Sequence, residues 1–213
     1  MLDLGDLEHN GVVIIDNISS RAELKRLAKS IGEIRPHPNG ENIATLKSSD
    51  GRSSLPGTLS NIYGLSAFPF HTDTAFWGIP ARYVVMGMFS KSQCTTNYIS
   101  LSDITRVVSN DFRAKAEKSI YLVETFEGCK YTSPIFCQNG VSGIRFDPNI
   151  MKPANVHAER FHSELLEALR SIEPRKIHWD GNKAVVFDNW KNLHGRSAVN
   201  NERREIFRIY LES

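Results

Sequence analysis

Cysteine is scarce in this chain. There are three, Cys94, Cys129 and Cys137, and no two are spaced as a CxxC pair. An odd, sparse set fits reduced, buried structural thiols in a cytoplasm better than a disulfide framework. Long apolar runs are missing too, and none approaches the length of a membrane span. The opening residues, MLDLGDLEHNG, are acidic and too polar for a signal peptide. No basic run is present, and a formal net charge of +2 gives no sign of a nucleic-acid or membrane partner. Internal repeats, low-complexity tracts, linkers and a convincing nucleophile motif are also absent.

What remains is a globular composition. The 213 residues are 40% apolar and 23% charged, enough for one domain over residues 1–213 with a full core. GVVIID (11–16) reads as a short buried strand. SSRAELKRLAKSIGE reads as a helix: Ser20 and Glu23 fit a capping box, and Leu24, Leu27, Ala28 and Ile31 recur at helical spacing. Residues 35–59 are rich in Gly, Pro, Asn and Ser, which predicts a long loop with short extended pieces.

From Phe70 onward the pattern is strand-rich, with ARYVVMGMFS (81–90) the strongest strand. DFRAKAEKS reads as a short helix, followed by the strands IYLVETF and VSGIRF. AERFHSELLEALRSI (158–172) is an amphipathic helix with Phe161, Leu165, Ala168, Leu169 and Ile172 on one face. KIHWD, a Gly-containing turn and KAVVFDN predict a hairpin, and REIFRIYLE alternates as a strand. The expected class is α+β, mainly β, built around a sandwich or jelly roll with flanking helices.

Two stretches carry chemistry. In PFHTDTAFW, His71 and Asp73 would share one face of a strand, with Thr72 pointing away. A histidine near an aspartate is common by chance, so the pair alone decides nothing. In VVFDNWKNLHGRSAV, His194 follows a buried-looking strand. Two imidazoles and one carboxylate fit a facial triad that leaves positions open on ferrous iron, and zinc accepts the same set. His9 and His37 fall in predicted loops, His157 and His162 in the helical region and His178 in a strand beside Trp179; all five read first as surface or core residues, with His37 able to line a pocket mouth. After His194, Arg204, Ile206 and Arg208 share one strand face, with Arg203 opposite. Inward-pointing arginines are costly unless they meet an anion, and their planar forks suit carboxylates.

The run HTD, then FDNWKNLHGRSAV, then RREIFRIYLE resembles the taurine dioxygenase and clavaminate synthase-like oxygenases, which depend on Fe(II) and 2-oxoglutarate. The resemblance extends more loosely to the N-terminal strand and helix. It implies a distorted double-stranded β-helix, iron held by His71, Asp73 and His194, and O2 and 2-oxoglutarate as cosubstrates. It implies that Arg204 meets the distal carboxylate of 2-oxoglutarate with help from Thr96, or failing that Thr95. Arg208 would touch the substrate's anionic group or the other end of the cosubstrate. Related halogenases replace the carboxylate ligand, so Asp73 implies hydroxylation, or a desaturation or cyclisation variant.

GIRFDPNIM (143–151) resembles a segment of amino-acid-hydroxylating relatives. Asp147 would then receive a substrate amine and Arg145 a carboxylate, although Asp-Pro-Asn is also a good turn sequence. Phe70 reads as core, while Phe76 and Trp77 are placed to wall a substrate pocket. The segment between Asp73 and His194 is shorter than in many relatives, which implies an open pocket or one closed by a homo-oligomer partner. The expected ligand is a small amino-acid-like or carboxylate metabolite. Two rivals stand beside this reading: a zinc-dependent hydrolase using the same triad, and a non-catalytic jelly-roll module that senses a ligand.

Overall fold

Ten strands arranged as two antiparallel sheets frame the protein, and helices close their outer faces. The computed structural model describes residues 4–126, 128–200 and 203–212. Along these the elements are α1 (Leu4–Asn10), β1 (Val12–Asp16), α2 (Arg21–Ile31), β2 (Ile34–Arg35), β3 (Ala44–Lys47), α3 (Leu59–Tyr63), β4 (Phe68–His71), β5 (Tyr83–Met88), β6 (Lys91–Ser100), α4 (Leu101–Thr105), α5 (Phe112–Lys118), β7 (Tyr121–Thr125), β8 (Gly128–Thr132), β9 (Ile135–Gln138), β10 (Val141–Ile144), β11 (Met151–Pro153), α6 (Val156–Ser171), β12 (Arg175–Asp180), β13 (Lys183–Asp188), β14 (Asn192–Arg196) and β15 (Glu205–Leu211).

The larger sheet has the order β1-β13-β5-β15-β2, with β3 also pairing with β15. The smaller has the order β12-β6-β14-β4. Side-chain alternation divides the core. Val84, Met86 and Met88 of β5 join Val185 and Phe187 of β13, and Ile177 and Trp179 of β12, in one buried cluster between the sheets. Val85, Ala184, Val186, Phe207 and Ile209 point to the other face, where Leu7 of α1 and Leu24 and Ala28 of α2 cover them. The outer side of the smaller sheet, through Ile99 and Leu193, is covered by Phe161 and Leu165 of α6 and Phe112 of α5. Helix α2 lies close to β5 because Gly87 has no side chain: a Cβ there would meet Leu24 Cδ1 and Cδ2 at 2.8 Å.

Four expectations change. The predicted hairpin of residues 175–188 is absent, because β12 pairs with β6 while β13 lies between β1 and β5. Gly181 and Asn182, both at positive φ, carry the chain from one sheet to the other. The burial patterns explain the split. In β12 only Ile177 and Trp179 are buried, whereas β13 is buried from Ala184 to Asp188, as a central strand with both faces covered must be. Second, the Ser20 hydroxyl does accept from Glu23 N, but the Glu23 carboxylate takes the backbone N–H and hydroxyl of Ser19, at 2.8 and 2.9 Å, rather than closing a box on Ser20. Third, His9 lies in α1, not a loop. Fourth, Cys94 is buried but Cys129 and Cys137 are exposed, because β8 and β9 turn those positions to solvent. Among the described residues no helix is long and apolar enough to cross a membrane.

Candidate metal centre

Strand β4 ends at His71, and Asp73 opens a turn rather than continuing the strand. The two side chains still converge because the turn is pinned from several sides. Thr74 adopts φ 58°, a left-handed conformation that costs free energy for a branched residue. Its hydroxyl donates to Asp73 O at 2.6 Å and accepts from Ala81 N at 2.8 Å. Asn189 accepts from Asp73 N at 3.0 Å and donates through Nδ2 to Asp73 O and Ala81 O, at 3.0 and 2.9 Å. Beside it, Trp190 Nε1 donates to Pro80 O, and Arg82 pairs with the fully buried Asp188 at 2.8 Å. The DNW of FDNWKN thus clamps residues 73–82. Sequence reading gave these three residues no role. Their signal was a polar pair placed directly after a fully buried strand, where each polar group needs a partner.

His194 comes from β14, whose register puts it opposite His71 of β4 and Tyr98 of β6. Gly195 makes this approach possible: a Cβ there would lie 2.5 Å from Phe68 O and 3.0 Å from Pro69 O. The His194 ring stacks on Phe187 at 5.3 Å. His71 Nδ1 lies 2.9 Å from Pro69 O; donation there leaves Nε2 as the basic nitrogen facing Asp73.

His71, Asp73 and His194 are all buried, and their potential ligand atoms lie within 4.8 Å of one another. Asp73 Oδ1 is 3.8 Å from His71 Nε2 and accepts from Arg208 Nη1 at 2.7 Å. Asp73 Oδ2 is 3.5 Å from His194 Nε2, is buried, and has no hydrogen-bond partner of good geometry among the described residues. A buried carboxylate oxygen without a hydrogen bond, beside two imidazole nitrogens, suits a divalent cation. Burial alone would raise the Asp73 pKa, but Arg208 and the two imidazoles outweigh it and hold the carboxyl well below its usual range. Burial, then His194, lowers the pKa of His71. Both shifts favour the protonation states that ligate metal.

These residues sit in the wall of a cavity of about 980 Å³. Thr96, Arg204, Arg208, Phe76 and Asp147 line it as well. Thr96 lies on β6, and its hydroxyl accepts from Trp179 Nε1 at 3.0 Å, so its own proton is left to donate. Thr95 does not line the cavity; its hydroxyl is 2.8 Å from Asn97 Oδ1. Arg204 precedes β15 and is 9% exposed, with its backbone tied to Ser48 in both directions. His37 also lines the cavity. Its Nε2 lies 3.0 Å from Arg208 O, and its ring is 4.2 Å from that of Tyr210.

The remaining sequence-predicted residues are placed differently. Arg145 is not part of the lining. Its terminal nitrogens donate to the carbonyls of Ala75, Trp77 and Gly78. Trp77 packs edge-on to Tyr210 at 5.4 Å, with Arg35 3.9 Å above its ring, and it too is outside the lining. Asp147 accepts from Asn149 N and Nδ2, both at 2.9 Å, so it caps a turn while facing the cavity. Phe70 packs in the outer core.

No family model matches the chain, and no curated protein matches it. Solved structures do match, over nearly its whole length. Asparagine oxygenase in complex with Fe(II), 3-hydroxyasparagine and succinate superposes with a TM-score of 0.78 at 12% identity, covering 98% of this chain and 77% of that one. PvcB from Pseudomonas aeruginosa gives 0.74 at 15% identity, covering 99% and 78%. The non-heme iron oxygenase OrfP, in complex with Fe and α-ketoglutaric acid, gives 0.74 at 15% identity, covering 99% and 78%. The chain has the fold of these iron-dependent oxygenases, and it brings His71, Asp73 and His194 together within that fold.

Proposed function

We infer that the protein is an Fe(II)- and 2-oxoglutarate-dependent dioxygenase that hydroxylates an unactivated C–H bond of a small amino-acid-like or carboxylate metabolite. The two facing sheets are read as a distorted double-stranded β-helix forming one domain over residues 1–213. The observation that carries the reading is Asp73 Oδ2, buried without a hydrogen bond beside His194 Nε2 and His71, in a cavity that also holds Arg204 and Thr96. The neighbours in fold were solved with Fe(II), α-ketoglutaric acid, succinate and hydroxylated amino acids, which supports the same chemistry here.

Iron(II) bound by His71, Asp73 and His194 supplies the oxidising chemistry, in which substrate, O2 and 2-oxoglutarate give hydroxylated product, succinate and CO2. The chain positions the reactants. Arg204 offers a guanidinium to the distal carboxylate of 2-oxoglutarate, and Thr96, accepting from Trp179, donates its hydroxyl proton to the same group. Arg208 holds Asp73 Oδ1, and Oδ2, which has no hydrogen bond, is the oxygen of that carboxylate that would be free to meet the metal. Its pairing with Asp73 makes it an orienting group for the metal site as well as a candidate to meet substrate or cosubstrate. Asp147 faces the cavity and suits a substrate amine, with Phe76 as an apolar wall. Arg145 and Trp77 act from outside the cavity by fixing the turn after Asp73.

Fe(II)-loaded protein with 2-oxoglutarate under air should release succinate, and a screen of amino acids and small carboxylates should raise the rate. Arg204→Ala should lose 2-oxoglutarate affinity and keep metal. Wild-type cosubstrate binding in that variant would remove the Arg204 assignment. A metal-dependent hydrolase or a non-catalytic binding module would give no succinate.

A further inference from the structure

Large apolar side chains are left in solvent at the cavity mouth. Leu55 is 61% exposed, Ile62 50% and Phe126 67%, and all three line the cavity that holds the metal triad. Leu55 and Ile62 belong to the segment leading into and through α3, while Phe126 follows β7. Two distant parts of the chain therefore present apolar groups to one opening. Exposed apolar side chains gathered around one cavity are a mark of a ligand groove.

Charge at this opening is matched. Lys152 pairs with Glu124, and Lys47 pairs with Glu205 at 3.4 Å; Lys152, Glu124 and Lys47 all belong to the lining. A highly charged extension would therefore find no excess of opposite charge here. The cavity, at about 980 Å³, lies at the top of the range for small-molecule sites. It has room beyond what a five-carbon diacid and a short free amino acid fill.

We propose that the mouth selects a substrate with an apolar extension, an amine- or carboxylate-bearing unit whose alkyl or aryl group reaches outward between Leu55 and Ile62 on one side and Phe126 on the other. The inference rests on the reading that substrate binds in this cavity beside the metal. It places the amine of the substrate's polar head deep, toward Asp147, and the carbon chain at the rim. Short polar amino acids would then be poor ligands.

The test is a homologous series of straight-chain 2-amino acids, from alanine through norvaline and norleucine to 2-aminooctanoic acid. Affinity is measured calorimetrically under argon on the full chain loaded with Fe(II) and 2-oxoglutarate, and again with metal alone. Each added methylene should tighten binding by about two- to fourfold, as burial of a CH2 group requires. The Leu55→Ser/Ile62→Ser/Phe126→Ser variant, checked for folding by circular dichroism, should flatten the series, and each single serine variant should flatten it in part. Affinity that is level or falls with chain length in the wild-type protein overturns the proposal. So does a series that keeps its slope in the triple variant. Sedimentation showing a dimer that the triple variant dissolves would assign the rim to a second copy and also overturn it. Succinate release is scored separately: length dependence without succinate supports the rim proposal and counts only against the oxygenase reading.

Discussion

His71 and His194 face each other as register partners across β4 and β14, with ring centroids 4.6 Å apart. That closeness depends on Gly195, whose bare α-carbon passes the backbone oxygens of Phe68 and Pro69. Gly195→Ala would force a methyl group against two carbonyls that belong to the sheet itself. The strands must then separate, and metal affinity should drop about 10- to 100-fold, the scale seen when support of ligand orientation is lost. Titration with Mn(II), followed by calorimetry, reads this directly. Unchanged affinity would show that His194 is placed by other contacts.

The partly exposed Arg208 holds the buried Asp73 carboxylate at 2.7 Å, and its guanidinium is the one fixed positive charge in contact with it among the described residues. Arg208→Met should destabilise the metal-free protein by about 3–5 kcal/mol, because one buried charge is left without its partner. A divalent ion at the triad supplies positive charge at the same carboxylate. Saturating Mn(II) should therefore raise the melting temperature of the variant more than that of wild type. Equal shifts would show that Asp73 is not a metal ligand.

Arg145 donates to three backbone carbonyls between Ala75 and Gly78. Arg145→Lys cannot reach all three, and should cost about 2–3 kcal/mol of stability, with little change in substrate KM. The opposite result, a KM raised tenfold or more in a protein of normal stability, would return Arg145 to the substrate site.

His162 is partly buried beside Tyr121 and Phe146, and that burial lowers its pKa from the ordinary 6.5. The unfolded chain therefore binds the proton more readily than the folded one. The stability this group contributes is complete above about pH 6.5 and is lost as pH falls through the lower folded value. In chelator, wild type should melt at a lower temperature at pH 5.5 than at pH 7.5, and His162→Phe should lose less. Identical pH dependence in the two proteins would show that His162 is not buried as a neutral ring.

The three residues of the candidate metal centre could be picked out in the sequence because a facial triad narrows the choice: two imidazoles and a carboxylate, one pair closely spaced, the third beside a glycine. Local periodicity also located α2, β5 and α6, where apolar spacing and burial agree. Less legible was everything decided across sheets. The alternating β12 and the uniformly buried β13 looked like neighbours because they are adjacent in sequence, and only the pairing partners β6, β1 and β5 show otherwise. Arg145, which lies outside the cavity lining, was hard to place for a related reason. A buried guanidinium needs acceptors, and sequence does not distinguish carbonyls of a turn from a bound carboxylate. Asn189 escaped notice because its partners, Asp73 and Ala81, are remote in the chain.

The switch of sheets at Gly181–Asn182 bears on how the centre assembles. β13 lies between β1 and β5, and the short stretch 189–191 joins it across the sandwich to β14, which pairs with β4. Neither half of the polypeptide alone contains a complete chelate. Uptake of metal during refolding should consequently trail the growth of sheet signal, and the ion would stabilise a topology already threaded rather than nucleate it.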